Sequence, residues 1–366
     1  MKSLFICSTY EFSGKSLISM SLGVKAQEDG YKVGYFKPLG KAPKITRAGK
    51  LFDEDAELMR RVLNLRDHLE KICPVVLTED LKVRGLREDL PQIKETILAA
   101  YKEISQGKDL LLLGGVGNIN EGAFLGVSSL YLAKALNTPV LLVDPYTNEV
   151  CIDCIMAAHQ ALGPRLLGVV LNKVKPESLD YVESLVKPFM ARHKIEIFGV
   201  IPQDRILDSL TVRQLQEVLG GEVLCAEDHL DELVERFLVG TMDLESAQKY
   251  LRRTPNKAVI TGGQRADILL AALETSTRCL IVTGDLRPND IVVSRAEAAG
   301  VPIIAVREDT LTAVEKVERA IGRLHIREER KIIRGLELVR KHVDLEKLYK
   351  ALGLVKSDKP KNLSPF

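Results

Sequence analysis

Short apolar runs ending in polar or glycine-rich turns alternate along this chain with stretches whose apolar residues recur every three or four positions. The first run is Leu4, Phe5, Ile6 and Cys7; others lie at 32–39, 109–114, 139–145, 166–173 and 197–202. Runs of this length read as strands buried on both faces, and the segments 91–106 and 151–162 between them read as helices. Their alternation predicts an α/β fold, a doubly wound parallel sheet over residues 1–210. Residues 211–254 read as a polar-faced helical connector broken at Gly220 and Gly221. A smaller α/β unit is expected over 255–324, with strands at 257–261, 279–283 and 301–306 and helices at 266–274, 290–299 and from 310. Residues 325–366 read as a C-terminal helix and tail: Ile333, Leu336, Val339, Val343 and Leu348 recur at helical spacing and cover a core or a subunit surface, and 357–366 are expected to be disordered.

A length of 366 residues exceeds what one hydrophobic core usually holds, which agrees with two domains. The 46% hydrophobic and 28% charged fractions are those of a soluble globular protein. A net charge of +2 gives no electrostatic case for nucleic acid or a membrane as partner. The opening apolar run passes directly into a loop, so it reads as a first strand and not a secretory signal. No segment approaches the ~20 apolar residues that span a bilayer. The expected location is cytoplasmic. Six scattered cysteines fit reduced thiols. Cys151 and Cys154 form a lone C-x-x-C, read as two inert thiols near a helix start in preference to a metal site shared between subunits.

Candidate chemistry begins where the first strand ends. Ser8-Thr9-Tyr10-Glu11-Phe12-Ser13-Gly14-Lys15-Ser16 joins that strand to a helix opening at Leu17, the context a phosphate-binding loop requires. Backbone N–H groups from Thr9, Ser13 and Gly14 through Leu17 would face an anion, Lys15 would add a point charge, and the Ser16 hydroxyl would complete a magnesium shell. Lys37, at the carboxyl end of the second strand, is placed to reach the same crevice. Asp53, Glu54 and Asp55 open a helix, where acids either cap the terminus or hold magnesium. In the second unit, Gly262, Gly263 and Arg265 follow one strand and Thr283 and Gly284 end the next; they read either as a small anion site or as tight turns with a solvated arginine.

STYEFSGKS, YFKPLG, FDEDAELM, LLLLGGVGN, VVLNKV and FGVIPQD, in that order, resemble the dethiobiotin synthetase-like P-loop family. KAVITGGQRADILLAALE, CLIVTGD and VPIIAVREDTLTAVEKVE resemble the DRTGG domain. Together they are similar to the N-terminal, non-catalytic half of long bacterial phosphotransacetylases, here in a stand-alone form without the acetyltransferase domain. The resemblance implies that Gly14, Lys15 and Ser16 hold nucleotide phosphates and magnesium, that Lys37 contacts substrate and phosphate, that Asp55 is magnesium-linked and that Asn172 reads the base. Two positions depart from the family pattern. Ser8 stands where an early loop glycine is expected, and Gly114 stands where the family places a metal-binding glutamate.

These readings converge on an ATP- and Mg2+-binding regulatory or sensor protein, with a small anionic effector at the second unit and, by family analogy, homo-oligomeric. Loss of a metal carboxylate at Gly114 removes charge compensation that turnover needs. The rival expectation is an ATP-dependent ligase or synthetase that activates a carboxylate or carbamate, with Lys15 and Lys37 stabilising the transferring phosphoryl group. A third is an interaction module with a decayed loop, against which Lys15, Ser16, Lys37 and Asp55 argue.

Overall fold

The computed structural model describes residues 1–46, 49–321 and 328–354. They form two compact units, 1–203 together with 328–354, and 204–321. Both are α/β, as expected.

The first unit is built on six strands: β1 (Lys2–Cys7), β2 (Val33–Phe36), β3 (Leu110–Gly114), β4 (Val140–Pro145), β5 (Leu166–Val174) and β6 (Ile197–Pro202). They lie in the order β6-β5-β4-β1-β3-β2, every neighbouring pair parallel. The apolar runs are strands because both sheet faces are covered: Leu110–Gly114 is buried throughout, and so are Leu4–Cys7. Register sets Ile6 beside Gly114 and Cys7 beside Leu142, so the carboxyl ends of β1, β3 and β4 open into one crevice.

Helix α1 (Lys15–Glu28) returns from β1 and is buried along Leu17–Val24. Its small residues permit close approach, and a Cβ at Gly23 would meet Leu63 at 2.6 Å. The C-terminal segment covers another side of α1, where a Cβ at Gly335 would meet Leu17 at 2.0 Å. That segment is two helices, Glu329–His342 and Leu345–Leu352, where one was expected. Val343 leaves helical geometry to bridge Gly199, the Asp344 N–H donates to Phe198 O (2.8 Å), and the Asp344 side chain caps the second helix. The break thereby pairs the exposed edge of β6. The expected disordered tail lies outside the described residues, as do 325–327 of the expected helix.

The second unit carries β7 (Glu222–Cys225), β8 (Arg236–Val239), β9 (Lys257–Gly262), β10 (Thr277–Thr283) and β11 (Ile303–Ala305) in the order β7-β11-β10-β9-β8, parallel except for β7. Alternate strand residues face opposite sides. Ala258, Ile260, Cys279, Ile281 and Ile304 pack with Val212, Leu215 and Val317; Val259, Leu280, Val282 and Ile303 pack with Leu251, Ile268 and Val292. The stretch expected as a helical connector therefore differs from expectation. Besides helices Val212–Leu219 and Leu244–Arg253, it supplies the flanking strands β7 and β8. Four-residue strands are too short for periodicity to separate them from helix; only their sheet neighbours define them.

Candidate nucleotide-binding site

The loop after β1 is held from beneath by Asp144, at the carboxyl end of β4. Asp144 Oδ1 accepts from the Ser8 hydroxyl (2.6 Å) and the Thr9 N–H (2.7 Å), and Oδ2 accepts from the Thr9 hydroxyl (2.9 Å). Ser8, where the resemblance leads one to expect glycine, is thus buried and bonded; its hydroxyl also accepts from the Tyr10 N–H (3.0 Å). Burial pushes the Asp144 carboxyl up from its ordinary range, opposed by those three donors. Asp144 was not singled out in the sequence, where it reads only as a polar strand end.

Gly14 caps α1 in the left-handed region (φ 94°), and a Cβ there would lie 2.3 Å from Asn172 Nδ2. Both conformation and space demand glycine. No side chain caps α1, so the amides of its first turn face the loop without a side-chain acceptor. Asn172, which the resemblance assigns to the base, lies under the loop: Nδ2 donates to Ser13 O (2.8 Å) and Oδ1 accepts from the Lys173 N–H (2.9 Å). One Nδ2 hydrogen remains beyond those bonds.

Lys15 reaches across the crevice to the segment following β3, its ammonium 2.5 Å from Gly117 O and 3.4 Å from Ser13 Oγ. No carboxylate lies within ion-pair distance of it among the described residues. Desolvation lowers its pKa to about 8, opposed by the nearby Asp144 carboxylate. Lys37 is within electrostatic reach of Lys15 but differently satisfied: its ammonium lies 2.8 Å from Asp53 Oδ1 and 2.8 Å from Asp55 Oδ2. Burial works against that charge, and the two carboxylates more than reverse it, holding Lys37 above the ordinary lysine range. Asp53 also caps α2 (Glu54–Val62) through the Ala56 N–H, so the acidic run serves as both cap and ion pair. The two residues expected to act on substrate and metal, Lys37 and Asp55, are each other's partners here.

Gly114 ends β3 against Tyr35. A Cβ built on it would lie 2.0 Å from Tyr35 Oη, so the tyrosine hydroxyl occupies the space any side chain at position 114 would enter. Tyr35 is 2% exposed, and burial raises its pKa. Farther along, Lys41 bridges Glu11 (2.7 Å) and Glu121 (2.8 Å) at the rim of the loop. No group of three or more His, Cys, Asp or Glu converges as a metal cage among the described residues. Cys151 is buried and Cys154 half-buried, its Sγ 3.5 Å from Tyr10 Oη.

In the second unit, Gly262 and Thr283 pair across β9 and β10, so the expected residues converge at adjacent strand ends. Their polar groups are engaged locally: Arg265 pairs with Asp267 (2.9 Å) and donates to Met242 O, Thr283 bonds Thr310 (2.7 Å), and the Gly284 N–H donates to Glu308 O. Gly263 abuts Leu286 O. Beside them is a cleft of about 720 Å3 where Glu217, Glu222, Asp285 and Glu308 outnumber Arg287, Arg307 and Lys316; Arg287 pairs with Glu222 (2.7 Å) and Lys316 with Glu308.

Residues 2–211 match the family described as AAA domain, more than half of the chain. The chain belongs to that family. Residues 214–320 of this AAA-domain chain match the DRTGG domain. Curated relatives include phosphate acetyltransferases from Synechocystis sp., 26% identical over 99% of this chain and 53% of that protein, and from Pseudomonas aeruginosa, 25% identical over 96% and 52%. The chain spans about half the length of these relatives. Among solved structures, the CBS and DRTGG domains of a Clostridium perfringens pyrophosphatase overlap it with a TM-score of 0.28 and 19% identity, over 40% of this chain and 72% of that one, too slight a likeness to bear on function. No helix among the described residues is long and apolar enough to cross a membrane.

Proposed function

We propose that the first unit binds Mg2+-ATP and that the protein acts as a nucleotide-dependent regulatory or sensor module rather than as a turnover enzyme. The observation that carries this reading is the half-buried, carboxylate-free Lys15 ammonium beside the uncapped N-terminus of α1: cation and amides together make a site short of negative charge, which a triphosphate supplies. Thr9, Ser13, Gly14, Lys15, Ser16 and Leu17 would cradle the phosphates, and the Ser16 hydroxyl would meet the magnesium ion. When bound, that ion would neutralise phosphate charge.

Turnover asks for more than binding. Lys37 is neutralised by Asp53 and Asp55, and Tyr35 fills the position of the missing glutamate, so charge developing on a transferring phosphoryl group would meet less compensation than in an active synthetase. For the second unit we propose a small anionic effector at the adjacent ends of β9 and β10, where Gly262, Gly263, Arg265, Thr283 and Gly284 converge. Relation to phosphate acetyltransferases supports regulation connected with that reaction. The test is calorimetric titration of Mg2+-ATP followed by assay of released phosphate over hours. Saturable binding without phosphate release is expected. Turnover would overturn the sensor reading in favour of a ligase acting on a carboxylate or carbamate, and absence of binding would remove the nucleotide itself.

A further inference from the structure

The segment after β3 carries a carboxylate that its surroundings leave half unsatisfied. Glu121 Oε1 is paired with Lys41 at 2.8 Å, but Glu121 Oε2 is buried and has no hydrogen-bond partner. It lies against Gly117, close enough that a Cβ there would come within 1.7 Å of it. The carbonyl of that same Gly117 is the acceptor of the Lys15 ammonium. An orphaned carboxylate oxygen and a desolvated lysine therefore flank one glycine, at the strand end where Gly114 deprives the site of its family carboxylate. A buried anionic oxygen without a partner is costly and is retained most economically where a cation arrives with a ligand. Magnesium favours such an arrangement, taking one or two protein carboxylates and completing its shell from phosphates and water.

We propose that Glu121 is the magnesium-facing carboxylate of this site, replacing from the following loop the charge that Gly114 cannot supply. The assignment rests on the nucleotide reading above. It gives the glycine at 117 a purpose, since a Cβ there would collide with Glu121 Oε2 and crowd Glu11 Oε1 at 3.2 Å.

The test uses Mn2+ as probe, its free concentration read by electron paramagnetic resonance during titration of the full chain saturated with ATP. Metal-free ATP affinity is measured in parallel by calorimetry with EDTA present. Glu121→Gln is expected to weaken Mn2+ binding by about tenfold or more while leaving metal-free ATP affinity unchanged or tighter. Lys41→Met, which breaks the ion pair but keeps the carboxylate, is expected to retain Mn2+ affinity. Glu121→Asp, which withdraws the carboxylate by one methylene, should weaken Mn2+ in the same direction and serves if the glutamine variant does not fold. Unchanged Mn2+ affinity in the folded Glu121 variants, or equal losses in Glu121→Gln and Lys41→Met, would overturn the assignment and leave Glu121 as an anchor for Lys41. If the unaltered protein binds ATP neither with Mn2+ nor without it, the nucleotide reading fails instead.

Discussion

Replacing Lys15 with methionine should abolish nucleotide binding and yet stabilise the ligand-free protein. Partial burial lowers the pKa of the Lys15 ammonium from 10.5 to about 8, so its charge is disfavoured in the folded state. At about 1.36 kcal/mol per pH unit, that difference is a cost to the fold of about 3 kcal/mol. Methionine fills similar space without the charge, but it leaves Gly117 O without its donor, a loss of about 1–2 kcal/mol. The net expectation is a gain of about 1–2 kcal/mol for Lys15→Met near pH 7. The folded pKa lies below the unfolded one, so the cost to the parent protein is fully present below about pH 8 and fades as pH rises towards 10.5. The advantage of the variant should therefore shrink between pH 8 and 10. Chemical denaturation followed by circular dichroism, without nucleotide, phosphate or Mg2+, measures it; the chain has no tryptophan for fluorescence. A variant less stable than its parent at pH 7, or a difference independent of pH, would refute the reasoning.

Asp144→Asn presents an amide where three donors converge, and should cost about 1–3 kcal/mol by denaturation while weakening ATP binding through the loop. Asn172→Ala removes the support of Ser13 O, so affinities for ATP and inorganic triphosphate should fall together; a loss confined to ATP would return Asn172 to the base-reading role. Gly114→Glu alone should destabilise by about 1–3 kcal/mol without gain of ATPase, because Tyr35 Oη blocks its Cβ, whereas adding Tyr35→Ala should recover part of that stability. Recovery of ATPase by the single change would show that Tyr35 yields its place readily.

The six parallel strands of the first unit were legible because each is an apolar run bounded by turn residues, as burial on both faces requires. The loop was legible by position, one strand from the start and opening a helix, despite the serine at position 8. The strands Glu222–Cys225 and Arg236–Val239 were not legible, since four residues carry too little periodicity. The break at Val343 was hidden in the same way, because the apolar spacing passes through it and only Gly199, far away in the chain, pairs with it.

By itself the sequence determined what depends on neighbours along the chain: the alternation of long apolar strands with helices, the loop that follows the first strand, and the lysine and serine presented at a helix start. Tertiary structure decided how charges and hydroxyls meet across strands. It joined Asp144 to Ser8 and Thr9, enclosed Lys37 between Asp53 and Asp55, put Tyr35 into the space at Gly114, and left Lys15 and Glu121 Oε2 on either side of Gly117. Residue type reports the charge a side chain carries, but whether that charge is compensated depends on distance and burial, which only the folded chain sets.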